Sequence, residues 1–169
     1  MKKVLLLLLI MTCTMNITAQ VNPIQITKTV DKMTDKVYYS SSESLLVANE
    51  EKSKGFRVDF SIREKNNGDI SLSNLIVTLA GLGSCNEDNT MIILFENDTK
   101  VKLTSWNKFN CKGTSYFSLS RIDKLALSTT PISKIRLTNG RGYKSYTGDL
   151  KDKNFFINLF LAIENKNTD

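Results

Sequence analysis

The sequence predicts a mainly β fold of the α+β kind, an antiparallel sheet or β-sandwich with a short connector helix and a C-terminal helix. Three observations carry this. Phe56, Val58, Phe60 and Ile62 alternate with Arg57, Asp59, Ser61 and Arg63, the two-residue period of a strand with one face in a core and one in water. Further short apolar runs recur between turn-forming clusters such as Asn66–Asp69. Only two segments, after Ser120 and after Asp149, pair an acidic or capping start with apolar residues three and four apart.

At the N-terminus, Lys2 and Lys3 precede the apolar run Val4–Met11, and a short polar region ends at Thr18-Ala19-Gln20. These are the charged, apolar and cleavage regions of a secretory signal peptide, and the run is too short to span a bilayer. Cleavage after Ala19 makes residues 1–19 the signal and residues 20–169 one β-rich domain, exported to the periplasm or beyond the cell. The alternative, lipidation at Cys13, is opposed by Thr12, where a very small residue is required. With the signal gone, Cys85 and Cys111 are an even pair, read as a disulfide in an oxidising compartment. A redox or metal pair of free thiols is the competing reading, and it lacks close C-x-x-C spacing.

Upstream of the alternating strand, Gln25–Val30, Val37–Tyr39 and Leu45–Val47 are weaker strand candidates. Downstream, Leu72–Leu79 reads as a more buried strand that ends at the glycine-rich run 80–84. Thr90–Ser105 has the pattern of a β-hairpin: an apolar run, a polar turn at Asn97-Asp98, then Val101 and Leu103 alternating with Lys100 and Lys102. A two-residue loop of Asn97 and Asp98 would pair Glu96 with Thr99, and a three-residue loop ending at Thr99 would pair it with Lys100. Either register, extended outward, carries Cys85 to within one residue of Cys111.

Tyr116, Phe117 and Leu119 form a short strand, and Ser120 with Asp123 three residues on is a capping-box start. Ile122, Leu125 and Ala126 would supply the apolar face of the helix that follows, and Pro131 stops it. Ile132, Ile135 and Leu137 then begin a strand, with a turn at Asn139–Gly142 into Tyr143–Thr147. The connector is just long enough for a parallel crossover, so the strand direction stays open here. At the C-terminus Asp149 and Asp152 precede Phe156, Leu159, Phe160 and Ile163, the spacing of a core helix, with a buried strand as the alternative.

The hairpin Ile92–Leu103, the segment Tyr116–Leu137 and the closing apolar helix together resemble the C-terminal half of small uncharacterised exported proteins of the Bacteroidota. Where those proteins close the hairpin with Asp-Gly, this chain has Asn97-Asp98. The resemblance implies the fold pattern and the helical C-terminus, and no activity.

The chain has no histidine, which excludes Ser-His-Asp and Cys-His catalysis and histidine-ligated zinc. No set of catalytic residues is marked by spacing, no cofactor is implied, and the chain reads as a non-enzymatic binding or interaction module. Between Thr99 and Gly148 ten basic residues face Asp123 alone, while the rest of residues 20–169 is net acidic. Strand parity lets Lys100, Lys102, Lys134, Arg136 and Lys144 face water while their neighbours face the core, so they form one basic stripe if their strands are adjacent. Such a stripe would suit an anionic glycan, lipopolysaccharide or an acidic protein surface. Nucleic acid is disfavoured, since no RNA-binding aromatic signature accompanies the lysines. The bland alternative is a solvated face balanced by the acidic half.

Asn86–Asn89 and Glu96–Thr99 carry acidic residues but not the spacing of a calcium loop, and they read as turns. A carboxylate-pair hydrolase drawing on Asp59, Glu87, Asp88, Glu96 or Asp98 is a further alternative, as is a structural subunit of a cell-surface assembly. Trp106, Phe109, Tyr116, Tyr143 and Tyr146 could line a contact, although aromatics in β-rich proteins are more often core.

Overall fold

Alternation of apolar and polar residues builds two antiparallel sheets around one core in the computed structural model, which describes residues 23–85, 87–106, 111–140 and 143–168. The larger sheet is formed by β1 (Ile26–Val30), β2 (Val37–Ser41), β3 (Leu45–Ala48), β4 (Gly55–Glu64), β5 (Ile70–Ala80) and β8 (Thr114–Ser118). Its order is β1-β2-β4-β5-β8, and β3 extends the edge begun by β2 along β4. The smaller sheet has the order β10-β9-β6-β7, from β6 (Thr90–Phe95), β7 (Lys100–Thr104), β9 (Ile132–Asn139) and β10 (Lys144–Asp149). The signal-peptide reading and Cys13 lie outside the described residues, as do Lys108, Phe109 and Arg141.

The strand at Phe56 follows the expected period, with Phe56, Val58, Phe60 and Ile62 all buried. Its partner β5 departs from strict alternation: Ile70 and Leu72 are buried, and so are Leu75 and Val77. A β-bulge reconciles these. Ser61 pairs with Asn74 and Ile62 with Leu72, so Ser73 is the extra residue, and its hydroxyl donates to the Ser61 carbonyl at 2.8 Å. A second register shift, between Leu94 and Phe95 against β9, likewise turns both Ile132 and Ile135 inward.

At one edge the sheets are stitched together where Ser105, just past β7, bridges Phe117 of β8 and the Trp106 amide donates to the Tyr116 carbonyl at 3.1 Å. At the other edge β10 approaches β3 so closely that a Cβ on Gly148 would lie 2.6 Å from Val47 Cγ1. The β8–β9 connector therefore passes from one sheet to the other and is not a parallel crossover within either.

Helix α1 (Arg121–Thr129) starts at the capping box: the Asp123 amide donates to Ser120 Oγ at 3.2 Å and the Ser120 amide to Asp123 Oδ2 at 2.8 Å. Thr130 is extended, as a residue before proline must be. The buried face is only partly the expected one, since Ala126 packs against the core. Leu127 is buried, whereas Ile122 and Leu125 are 78% and 63% exposed. Docking of the flanking Leu119 and Ile132 in the core sets the helix phase, and it turns Ile122 and Leu125 outward.

The C-terminal segment is helix α2 (Phe155–Thr168), with Phe155, Phe156, Leu159 and Ile163 buried. Phe155 stacks on Phe60 at 5.6 Å between ring centroids, and Phe156 meets the same ring edge-on. Its last turn is clamped to the sheet, since the Asn167 side chain accepts from the Ile70 amide at 2.6 Å and donates to the Ile70 carbonyl at 3.0 Å.

The β6–β7 hairpin has a different register from both sequence readings. Leu94 pairs with Lys100, and the Phe95 amide donates to the Thr99 carbonyl at 3.0 Å, so the loop is Glu96-Asn97-Asp98. Asp98 takes the left-handed conformation at φ 63°, and Asn97 Oδ1 accepts from the Thr99 amide at 3.2 Å. Cys85 and Cys111 nonetheless form the disulfide, because both lie in loops beyond the strands and hairpin register does not govern them. Beside it, Asn139 is 1% exposed and donates to the carbonyls of Leu82 and Cys85 at 3.1 and 3.0 Å. Asn89, fully buried, donates to Ser115 and accepts from the Gly140 amide. These amides satisfy backbone groups that a long loop would otherwise leave unpaired in the core.

Candidate anion-binding groove

The outward face of the smaller sheet follows from the same alternation that fills its core. Met91, Ile93 and Phe95 point inward from β6, so Ile92 and Leu94 point outward. On β7 Leu103 is buried and Lys100 and Lys102 are exposed; on β9 Ile135 and Leu137 are buried and Lys134 and Arg136 are exposed. Because β6 lies between β7 and β9, the register produces two cross-strand rows: Lys102–Ile92–Arg136 and Lys100–Leu94–Lys134.

The two basic strands are thus next-but-one neighbours, with the Cα atoms of the basic residues about 10 Å apart across β6 and about 7 Å apart along each strand by sheet spacing. Between them runs an open groove of about 360 Å³, lined by Ile92, Leu94, Lys100, Lys102, Lys134, Arg136 and Thr147. Ile92 and Leu94 are half-buried in its floor. Long basic side chains suit the walls of such a groove, since their stems lie on apolar surface while their charged ends reach water.

The two walls differ. On the β9 side Lys134 pairs with Asp149 of β10 at 3.4 Å, and Arg136 Nε donates to Thr147 Oγ1 at 2.9 Å. On the β7 side the side chains of Lys100 and Lys102 make no ion pair among the described residues. One row further along the strands lie only hydroxyls: Thr104, Thr90, Thr138 and Ser145, in register.

Four of the five stripe residues therefore share one face, and Lys144 does not. Lys144 pairs with Asn139, whose side chain is buried, and strand alternation puts it on the opposite face of β10 from Ser145, Thr147 and Asp149. The sequence reading places Lys144 with the other four, and its pairing with the buried Asn139 turns it to the other face.

The other candidates do not converge. Asp59 is salt-bridged to Arg57 at 2.9 Å on the larger sheet, and Glu96 is held by Lys153 at 2.9 Å at the β6–β7 turn, where Asp98 also lies. Glu87 and Asp88 lie in the loop before β6. Among the described residues, no group of three or more cysteine, aspartate or glutamate residues could hold a metal. Of the aromatics, Trp106 leans on Tyr116 at 5.1 Å and is 59% exposed, Tyr143 is 89% exposed, and Tyr146 packs edge-on against Phe56 at the core. Sequence reasoning missed Ile92 and Leu94 as site residues, because an unbroken apolar run gives no sign that alternate members face water.

Among the described residues, no helix is long and apolar enough to cross a membrane. No family model, curated protein or solved structure matches the chain.

Proposed function

We propose that the protein is an exported, non-enzymatic binding module that takes anionic groups, on a surface or glycan, through the outer face of the smaller sheet. The observation that carries this is the groove itself: four cations on two strands flank a single strand, and no acidic residue lines the groove between them. Like charges placed this close repel, and a fold gains nothing from concentrating them on one face. An anion between the walls would relieve that repulsion. The Cys85–Cys111 disulfide supports an oxidising location, as the signal-peptide pattern does.

The test is retention on immobilised heparin. Wild type should bind at low salt and elute as salt screens the walls, while the variant K100Q/K102Q/K134Q/R136Q should pass through. Equal elution of the two proteins would defeat the proposal.

A second reading, a structural subunit of an assembly, is favoured by the β1–β2 hairpin. Val30 and its partner Val37 are 50% and 40% exposed, and Met33 at the turn is 94% exposed. Light scattering decides it: a mass that rises with concentration supports assembly, and a monomer throughout dismisses it.

A further inference from the structure

We infer that the groove takes one small amphipathic anion, an apolar chain or ring bearing a single anionic head, with the head bound at the Lys102–Arg136 end. This rests on the anion-binding reading above and deepens it. A site evolved only for a polyanion would need cations alone, since its ligand is held by charge along its length. Here the strand between the walls presents Ile92 and Leu94, which remain partly in water and are covered by no other element among the described residues. Apolar surface flanked by charge on both sides matches a ligand that is itself apolar in the middle and charged at an end. The groove volume of about 360 Å³ lies in the range of sites for discrete small molecules. A membrane surface fits less well, because the four basic side chains flanking the floor would meet its headgroups and hold its hydrocarbon away from Ile92 and Leu94.

The polarity follows from the rows. At one end, Lys134 is already committed to Asp149, whose carboxylate would repel an incoming anion. At the other, Lys102 and Arg136 flank Ile92, and the next row adds the hydroxyls of Thr90, Thr104 and Thr138. Hydroxyls beside an arginine and a lysine supply the several donors that a phosphate or carboxylate head requires. The Arg136–Thr147 hydrogen bond uses only Nε, and it orients the rest of the guanidinium. With the head there, the apolar body lies over Ile92 and Leu94 towards the β6–β7 turn.

Isothermal titration of the whole protein with inorganic phosphate, then butyl, hexyl and octyl phosphate, tests this. Affinity should rise about two- to fourfold per added methylene until the floor is covered. Octyl glucoside, with the same chain and no charge, should bind far more weakly than octyl phosphate. K102Q/R136Q should weaken octyl phosphate about tenfold or more, and K100Q/K134Q about threefold or less. I92T/L94T, outward substitutions suited to a strand, should erase the dependence on chain length, with the circular dichroism unchanged.

Octyl phosphate binding no tighter than inorganic phosphate would overturn the inference, as would equal losses in the two charge variants. So would binding to phosphatidylglycerol vesicles with none to the monomeric octyl ester. Heparin retention separates the two levels: if it persists and depends on the four cations while the alkyl series is flat, only the amphiphile inference fails. If both are absent, the anion-binding reading fails with it.

Discussion

The outer faces of the two sheets are made of the same materials and differ in how they gather charge. On the larger sheet, Arg57 and Asp59 of β4 pair with each other, Ser44 donates to Asp59, and Ser118 donates to Asn74 at 3.2 Å. Between β2 and β4, off that outer face, Tyr39 donates to Glu64 at 2.7 Å, and this hydrogen bond holds the phenol above its usual range. On the smaller sheet, Lys100 and Lys102 go without ion pairs among the described residues, across from two more cations. Both faces sit over one continuous core, so the scaffold imposes neither pattern. The face that gathers four cations around one strand, two of them without an ion pair among the described residues, is where a binding function has room to lie.

The largest perturbations should fail to separate the two faces. Phe95, 1% exposed beneath the groove, and Phe56, 1% exposed beneath the larger sheet's outer face, should each destabilise by about 3–5 kcal/mol when cut to alanine. Urea melts followed at Trp106 fluorescence and by circular dichroism should coincide in both variants. A separate early transition in either would mean that the sheets fold independently, and would break the comparison at its root. Replacing both Cys85 and Cys111 by serine should cost about 3 kcal/mol, given a separation of 26 residues, with the loss read as a lower urea midpoint. Asn139→Ala, which strands the Leu82 and Cys85 carbonyls, should cost about 1–3 kcal/mol by the same measurement.

Surface changes should then divide the faces cleanly. In K100Q/K102Q/K134Q/R136Q the loss of the exposed Lys134–Asp149 pair is offset by relief of repulsion among the cations, so stability should shift by no more than about 0.5 kcal/mol while heparin retention is abolished. R57Q should do the reverse, losing up to about 1 kcal/mol from its exposed pair with Asp59 and leaving retention intact. Smallest of all is K144Q, which should change neither, since Lys144 lies on the other face of β10. Retention lost in K144Q would show that the binding surface wraps the sheet edge.

Much of the fold was legible because its signals are local. The Phe56–Ile62 period, the Ser120–Asp123 box and the three-and-four spacing of Phe156, Leu159 and Ile163 each act within one element, and each formed the element expected. Most of what went astray depended on partners remote in sequence. Ile122 and Leu125 look like a buried face until Leu119 and Ile132 fix how α1 lies on the core. The hairpin is a local exception, closed by Glu96-Asn97-Asp98 with Asp98 left-handed, a register that neither sequence reading had. The bulge at Ser73 became visible only against its partner β4, where it keeps Leu72 and Leu75 on one side.

The candidate site divides along the same line. By itself the sequence determined that Lys100, Lys102, Lys134 and Arg136 would point away from the core, because alternation along a strand is a property of the local backbone. Which strands stand side by side, and therefore that β6 lies between β7 and β9 with Ile92 and Leu94 exposed as a floor, was decided only in the tertiary structure. Strand order is set by pairing between segments tens of residues apart, and it reflects the burial of a shared core, which no single segment encodes.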